Sequence, residues 1–304
     1  MTEASAAETP FKSGFVALLG RPNAGKSTLI NALLGRKLSI ISAKPQTTRH
    51  KVLGLLNGKG FQACLLDTHG WLDKAKDALQ GALLLSARIA ARDDAELLVL
   101  VAEPHIPPPA ELESLRRLLP PGKPLLLALN KIDLFTDPAL LESVKAAYAA
   151  ALSPVGIHAI SALMMQGVAE LQAAIVGLLP PSPAYYGAES LSDRWERFFA
   201  CELVREAAFG LYREEVPHAC AVEIDEFKDA PGRSTIRAIV FVETPGQKGI
   251  VIGPGGRTVR ELTERSRQAI AGFLGRKVEL ELKVKVRSGW RKDPSALKAF
   301  GYSP

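Results

Sequence analysis

The sequence predicts an α/β protein: a doubly wound, mostly parallel sheet first, then a smaller α+β module. Three observations carry this. Across residues 11–183, short apolar runs alternate with helical stretches. A Pro-rich break, Pro180-Pro181-Ser182-Pro183, ends that rhythm. Beyond it the order becomes α-β-β-α-α-β, closing on residues 278–286, where apolar and charged residues alternate strictly.

In the first half, residues 14–19 form a short apolar run that ends in a Gly-rich turn, which marks a buried strand. A helix follows over 27–34. Residues 61–66 make a second strand with Asp67 at its end. The runs at 96–102 and 124–129 are apolar throughout, as expected of strands buried on both faces of a parallel sheet. Residues 155–160 form a weaker strand, and 77–92 and 140–152 are helical. After the break, 193–212 is a long amphipathic helix. Residues 219–227 and 235–243 are strands joined by a turn near Asp229-Ala230-Pro231-Gly232. A short helix over 247–252 leads through the tight loop Gly253-Pro254-Gly255-Gly256 into a helix over 257–274. The expected division is a disordered tail at 1–10, a first domain at 11–183, a stiff linker at 184–191 and a second domain at 192–304.

Composition narrows the class. The chain has 304 residues, nearly half of them apolar, enough for two cores. No apolar run approaches the roughly 18 residues that a membrane span needs. The N-terminus lacks the basic and apolar regions of a secretory signal. Cys64, Cys201 and Cys220 are odd in number and lack metal-binding spacing. These features point to a soluble cytosolic protein, with a peripheral contact at the inner face of the membrane left open. Net charge is +6, but residues 257–298 hold twelve Lys or Arg against five Asp or Glu. That concentration suggests a polyanion, nucleic acid first and anionic lipid second; a solvated helix and strand face is the plainer alternative.

Gly20-Arg21-Pro22-Asn23-Ala24-Gly25-Lys26-Ser27 fits G-x-x-x-x-G-K-[ST], with Thr28 continuing into the helix. Glycines let the backbone turn its N–H groups onto phosphates, Lys26 supplies a cation, and Ser27 offers Mg²⁺ a hydroxyl. The following helix points its positive end at the same anion. Asn130-Lys131-Ile132-Asp133 follows an apolar strand, where such sheets bind ligands. A carboxylate at Asp133 accepts from guanine N1–H and the 2-amino group; adenine would leave it unpaired, costing about 1–3 kcal/mol. GTP or GDP is therefore the expected ligand. Asp67-Thr68-His69-Gly70 places a carboxylate for Mg²⁺ and a glycine N–H for the γ-phosphate. Gln46-Thr47-Thr48-Arg49-His50 offers a threonine to complete the Mg²⁺ shell.

These motifs resemble those of the TrmE–Era–EngA group of GTPases. The resemblance implies a P-loop G domain in which Gly20 to Ser27 is the first motif and Gln46 to His50 the second. Within the second, Thr48 is the Mg²⁺ ligand. Asp67 to Gly70 would be the third motif, Asn130 to Asp133 the fourth, and Ile160-Ser161-Ala162 the fifth, which backs the guanine. Lys26, Thr48, Gly70 and Asn23 are then the catalytic candidates. Trp71 stands where Ras-like enzymes carry a water-orienting glutamine. The group is thought to hold K⁺ partly through the P-loop Asn, here Asn23, so slow, K⁺-stimulated hydrolysis is expected. The group usually reads Asp-x-Pro-Gly, and His69 replaces that Pro; a role for it at the γ-phosphate and a tolerated substitution both stand.

Gly253 to Gly256 is a G-x-x-G loop between two helices, without bulky side chains to keep a nucleic-acid backbone away. Set in α-β-β-α-α-β order, it resembles a type II KH domain. Lys248, Arg257, Arg260 and Arg287 are placed to neutralise phosphates, with Arg291 and Lys292 beside Arg287. Trp290 either stacks on a base or packs internally. The pairing of the two modules resembles the ribosome-assembly member of the group. That implies a monomeric GTPase binding single-stranded RNA near the 3′ end of small-subunit ribosomal RNA, in assembly of the 30S subunit. Two other readings remain: an RNA-binding chaperone with nucleotide as a structural ligand, and a P-loop kinase. Asn130 to Asp133 and the KH-like module argue against the second.

Overall fold

The computed structural model describes residues 10–41, 49–71, 75–135 and 137–302. The chain divides into two compact units. The first comprises Met1–Arg36, Val52–Thr68 and Arg88–Asp193; the second comprises Lys37–Lys51, His69–Ala87 and Arg194–Pro304. Two inserts from the first half of the chain thus group with the C-terminal module. A contiguous division at 11–183 does not describe that grouping.

In chain order, the first half forms β1 (Lys12–Leu19), α1 (Lys26–Leu34), β2 (Val52–Gly58), β3 (Phe61–Asp67) and α2 (Ala78–Ile89). It continues through a π turn to β4 (Leu97–Ala102), α3 (Pro109–Leu118), β5 (Leu125–Leu129), α4 (Pro138–Leu152), β6 (Gly156–Ala159) and α5 (Val168–Leu178). The sheet order is β2-β3-β1-β4-β5-β6, with only β2 antiparallel to its neighbour. The apolar runs at β4 and β5 are buried throughout, as strands covered on both faces must be. The strand β2 and the helices α3 and α5 carry no expectation from the sequence. In β2, Val-Leu-Gly-Leu-Leu-Asn-Gly is weakened by two glycines and an asparagine. Pairing with β3 decides it.

On one face of this sheet, Leu29, Ile30 and Leu33 of α1 and Leu171 and Ile175 of α5 pack with Val16, Leu18, Leu65 and Val99. Residues 184–191, expected as a linker, lie along β2 and β3. The Gln62 amide accepts from the N–H groups of Tyr185 and Tyr186 and donates to the Tyr186 carbonyl. The Leu55 N–H donates to the Leu191 carbonyl at 2.9 Å.

The second unit is built on α6 (Glu196–Leu211), α7 (Val216–Ala219), β7 (Ala221–Ala230), β8 (Arg233–Val242), α8 (Pro245–Ile252), α9 (Arg257–Leu274), β9 (Lys277–Val286) and α10 (Pro294–Ala299). Its sheet runs β7-β8-β9; β7 and β8 are antiparallel, and β8 and β9 are parallel. The α-β-β-α-α-β order is present, with α7 and α10 added. Val278 is buried in β9, and Leu280, Leu282 and Val284 are partly buried, while the alternating charges face out. Among the described residues, no helix is long and apolar enough to cross a membrane.

Candidate nucleotide and RNA sites

The nucleotide motifs lie at the carboxyl ends of strands, where β1 leaves for α1 and the sheet order turns from β3 to β4. Gly25 caps α1 with φ +97°, and an added Cβ would collide with the Asn130 side-chain nitrogen. Only glycine fits there, because it alone adopts that φ freely and leaves room for Asn130. Asn130 joins three motifs at once. Its amide nitrogen donates to the Ala24 carbonyl at 2.9 Å, and its side-chain oxygen accepts from the Ala162 N–H at 2.9 Å. The Ser161 hydroxyl accepts from the Met164 N–H, fixing the loop that follows. Asp133 is exposed at the lip of this cluster.

Lys26 is buried, and its ammonium donates to the carbonyls of Gly20 at 3.0 Å and Arg21 at 2.8 Å. Burial pushes its pKa down to about 8, against the pull of the Asp67 carboxylate. A bound polyphosphate would add negative charge to that of Asp67 beside this buried cation. The Ser27 hydroxyl donates to Asp67 Oδ2 at 2.9 Å. Two hard oxygen donors thus converge beside the P-loop cation, a donor set that suits Mg²⁺. Asn23 and Lys131 both sit in the left-handed region, at φ 65° and 70°. The Lys131 ammonium pairs with Glu103, and the Arg21 guanidinium pairs with Glu111. Both carboxylates were missed in the sequence; the available signal was an acid directly after a buried strand, at Glu103. Pro22, Ala24 and Thr28 complete the loop.

Thr48, with Gln46 and Thr47, lies outside the described residues. The second motif's remaining members, Arg49 and His50, belong to the second unit, as do His69, Gly70 and Trp71. His69, Gly70 and Trp71 are all buried. Arg49 is 5% exposed. Its guanidinium donates to the carbonyls of Cys220 and His218, both at 2.7 Å, among the rings of Phe209, Trp290 and Tyr302. His50 bonds Glu202 at 3.2 Å and the Phe300 carbonyl at 3.1 Å. Burial alone would raise the Glu202 carboxyl, but Arg205 and His50 overcome it and hold it far below the usual carboxylate range. Lys37 pairs with Glu206, whose other oxygen accepts from the Ile41 N–H. Both described flanks of residues 42–48 are therefore fastened to α6.

The G-x-x-G loop is present between α8 and α9. Thr244 and Gln247 form a capping box that starts α8. Gly253 has φ 70°, and an added Cβ would strike Thr258; Pro254 and Gly255 are exposed. Arg257 and Arg260 are exposed at the start of α9, and Lys248 is half-buried in α8. Arg287 lies over the Phe300 ring and 3.9 Å from Asp293. Of the two readings of Trp290, the structure takes internal packing over base stacking. It is fully buried and its indole N–H donates to the Ala219 carbonyl at 2.9 Å, so no base can reach its face. Apolar neighbours Leu297, Phe300 and Tyr302 enclose it.

A P-loop, a guanine-reading Asn-Lys-Ile-Asp loop and a G-x-x-G module on one chain define a GTPase joined to a KH domain. A family model described as 50S ribosome-binding GTPase matches residues 15–131, and a KH domain model matches 215–291. The chain is 39% identical to GTPase Era of Xanthomonas axonopodis pv. citri, over 97% of this chain and 98% of that one. It is 40% identical to GTPase Era of Lactobacillus helveticus, over 97% of each. A crystal structure of an Aquifex aeolicus Era variant bound to GDP·AlF4⁻ superposes with a TM-score of 0.92 at 35% identity, covering 97% of this chain and 100% of that one. A crystal structure of Era with MgGDPNP and nucleotides 1506–1542 of 16S ribosomal RNA gives the same values. The chain belongs to the GTPase Era family. It is a GTPase, with a G domain followed by a KH domain.

Proposed function

We propose that this GTPase binds the 3′ end of small-subunit ribosomal RNA through its KH module, and that its nucleotide state governs that binding during 30S assembly. The fastening of Lys37, Ile41 and His50 to α6, and of Arg49 to the end of α7, carries this reading. The loop that senses nucleotide in such enzymes is spliced at both ends into the unit that holds the G-x-x-G loop. The relative solved with 16S ribosomal RNA nucleotides and MgGDPNP supports the same partner.

In this reading Gly20 to Thr28 wrap the phosphates, Asn130, Lys131 and Asp133 read the guanine, and Ser161 and Ala162 back it. Ser27, Asp67 and Thr48 hold Mg²⁺. When bound, that ion neutralises charge developing on the β- and γ-oxygens. Lys26 neutralises the same phosphates, and the Gly70 N–H reports the γ-phosphate. Trp71 brings no hydrogen-bonding group suited to orient water; Asn23 would help hold a K⁺ ion, which would supply positive charge there. Lys248, Arg257, Arg260 and Arg287 neutralise RNA phosphates around Gly253, Pro254, Gly255 and Gly256. RNA crosslinking of the full chain in its GTP and GDP states tests this. Crosslinks at 248–260 that change with nucleotide support it; crosslinks indifferent to nucleotide refute the coupling.

A further inference from the structure

Two carboxylates, Glu103 just after β4 and Glu111 in the first turn of α3, have no part in the GTPase reaction. Glu111, in the first turn of α3, is 7% exposed and accepts from the Arg21 guanidinium. Arg21 directly follows Gly20, and the carbonyls of these two residues are the ones that receive the Lys26 ammonium. The pair lines a cavity of about 290 Å³, together with Leu100, Leu115 and Tyr148. Arg21 and Glu111 both line this cavity, so their ion pair braces the P-loop where it borders the cavity. Eight residues earlier, Glu103 leaves the fully buried strand β4 and accepts from the Lys131 ammonium. Lys131 is held at φ 70°, a conformation a lysine adopts only when its surroundings over-determine it.

We infer that Glu111 and Glu103 are positioning residues that separately set the two ends of the nucleotide site. Glu111 fixes the phosphate end through Arg21 and the carbonyls that aim Lys26. Glu103 fixes the guanine end through Lys131. Glu103 directly follows β4 and Glu111 opens α3, so each loop is braced by a carboxylate of the protein as well as by the nucleotide. The inference rests on the P-loop and guanine-loop assignment, and GDP binding by the unaltered protein checks that assignment first.

The test compares GDP with GMP, which lacks the β-phosphate that Lys26 meets. Dissociation constants are measured on the full chain, with GMP read by competition against a fluorescent GDP. Glu111→Gln is expected to weaken GDP about tenfold, the loss of one charged hydrogen bond, and to leave GMP unchanged. Glu103→Gln is expected to weaken GDP and GMP together, by about threefold, because its pair is partly exposed. Arg21→Met, at an exposed position, repeats the Glu111→Gln pattern, and the double variant is no worse than either single one. Equal weakening of GDP and GMP by Glu111→Gln, no weakening of either, or additive losses in the double variant would each overturn the inference.

Discussion

The Arg49 guanidinium donates to the Cys220 carbonyl at 2.7 Å, so the second nucleotide motif ends in a bond to the chain entering β7 of the RNA-binding unit. A side chain next to Thr48 thus caps the carbonyls at the end of α7. Arginine suits the position because its fixed fork reaches several carbonyls at once, and its flat face lies against aromatic rings.

Arg49→Ala is expected to lower stability by about 2–4 kcal/mol, since it strands buried carbonyl groups. It should also erase the difference in RNA affinity between GTP- and GDP-bound protein. Denaturant unfolding and RNA anisotropy titrations measure the two effects. A normal nucleotide response in the folded variant would remove Arg49 from the coupling.

Nucleotide affinity is expected to fall above about pH 8, by up to about tenfold per unit. Burial holds Lys26 near pKa 8 rather than 10.5 in the nucleotide-free protein. Above that pH the amine is neutral and must take up a proton to meet the phosphates. Calorimetry in buffers of different ionisation enthalpy should show that uptake. The sign for folding is opposite. Between about pH 8 and 10.5 the unfolded chain holds more protons, so the nucleotide-free protein gains stability as pH rises.

Asp133→Asn is expected to weaken GTP by about a hundredfold or more, because a carboxylate that accepts twice becomes an amide that accepts once. Xanthosine triphosphate should bind the variant better than it binds the unaltered protein, since its 2-oxo group accepts from the new amide. Competition titrations with both nucleotides decide this. Unchanged GTP selectivity would place guanine reading elsewhere.

Phosphate release should run faster in K⁺ than in Na⁺. Asn23→Ala should bring the two rates together, with GDP affinity as the control. The residue sits at φ 65°, so alanine there also costs about 1 kcal/mol of backbone strain. Equal rates in both salts for the unaltered protein would end the K⁺ proposal.

Trp290→Phe is expected to cost about 1–3 kcal/mol, from the lost bond to Ala219 and the unfilled volume, while RNA affinity stays the same. Arg257→Ala should do the reverse: normal melting, weaker RNA binding, and a salt slope smaller by about one. An RNA defect in folded Trp290→Phe protein would restore the base-stacking role.

Chemistry that depends on near neighbours in the chain is legible in the residues alone. The phosphate loop, the guanine-reading loop and the G-x-x-G turn are short, and their glycines and charges act through local backbone geometry. The buried strands β1, β3, β4 and β5 were legible for the same reason, since an unbroken apolar run has few alternatives to a covered strand. Features that depend on residues far apart in the chain were fixed by the fold. It turned Trp290 inward, because Ala219 offered its N–H an acceptor within an apolar cluster. It paired Glu103 and Glu111 with the nucleotide loops across 28 and 90 residues of sequence. It also gave residues 37–51 and 69–87 to the second unit. No pattern in those segments announces that choice. Arg49 and His50 are ordinary polar residues until α6 and the end of α7 surround them with acceptors.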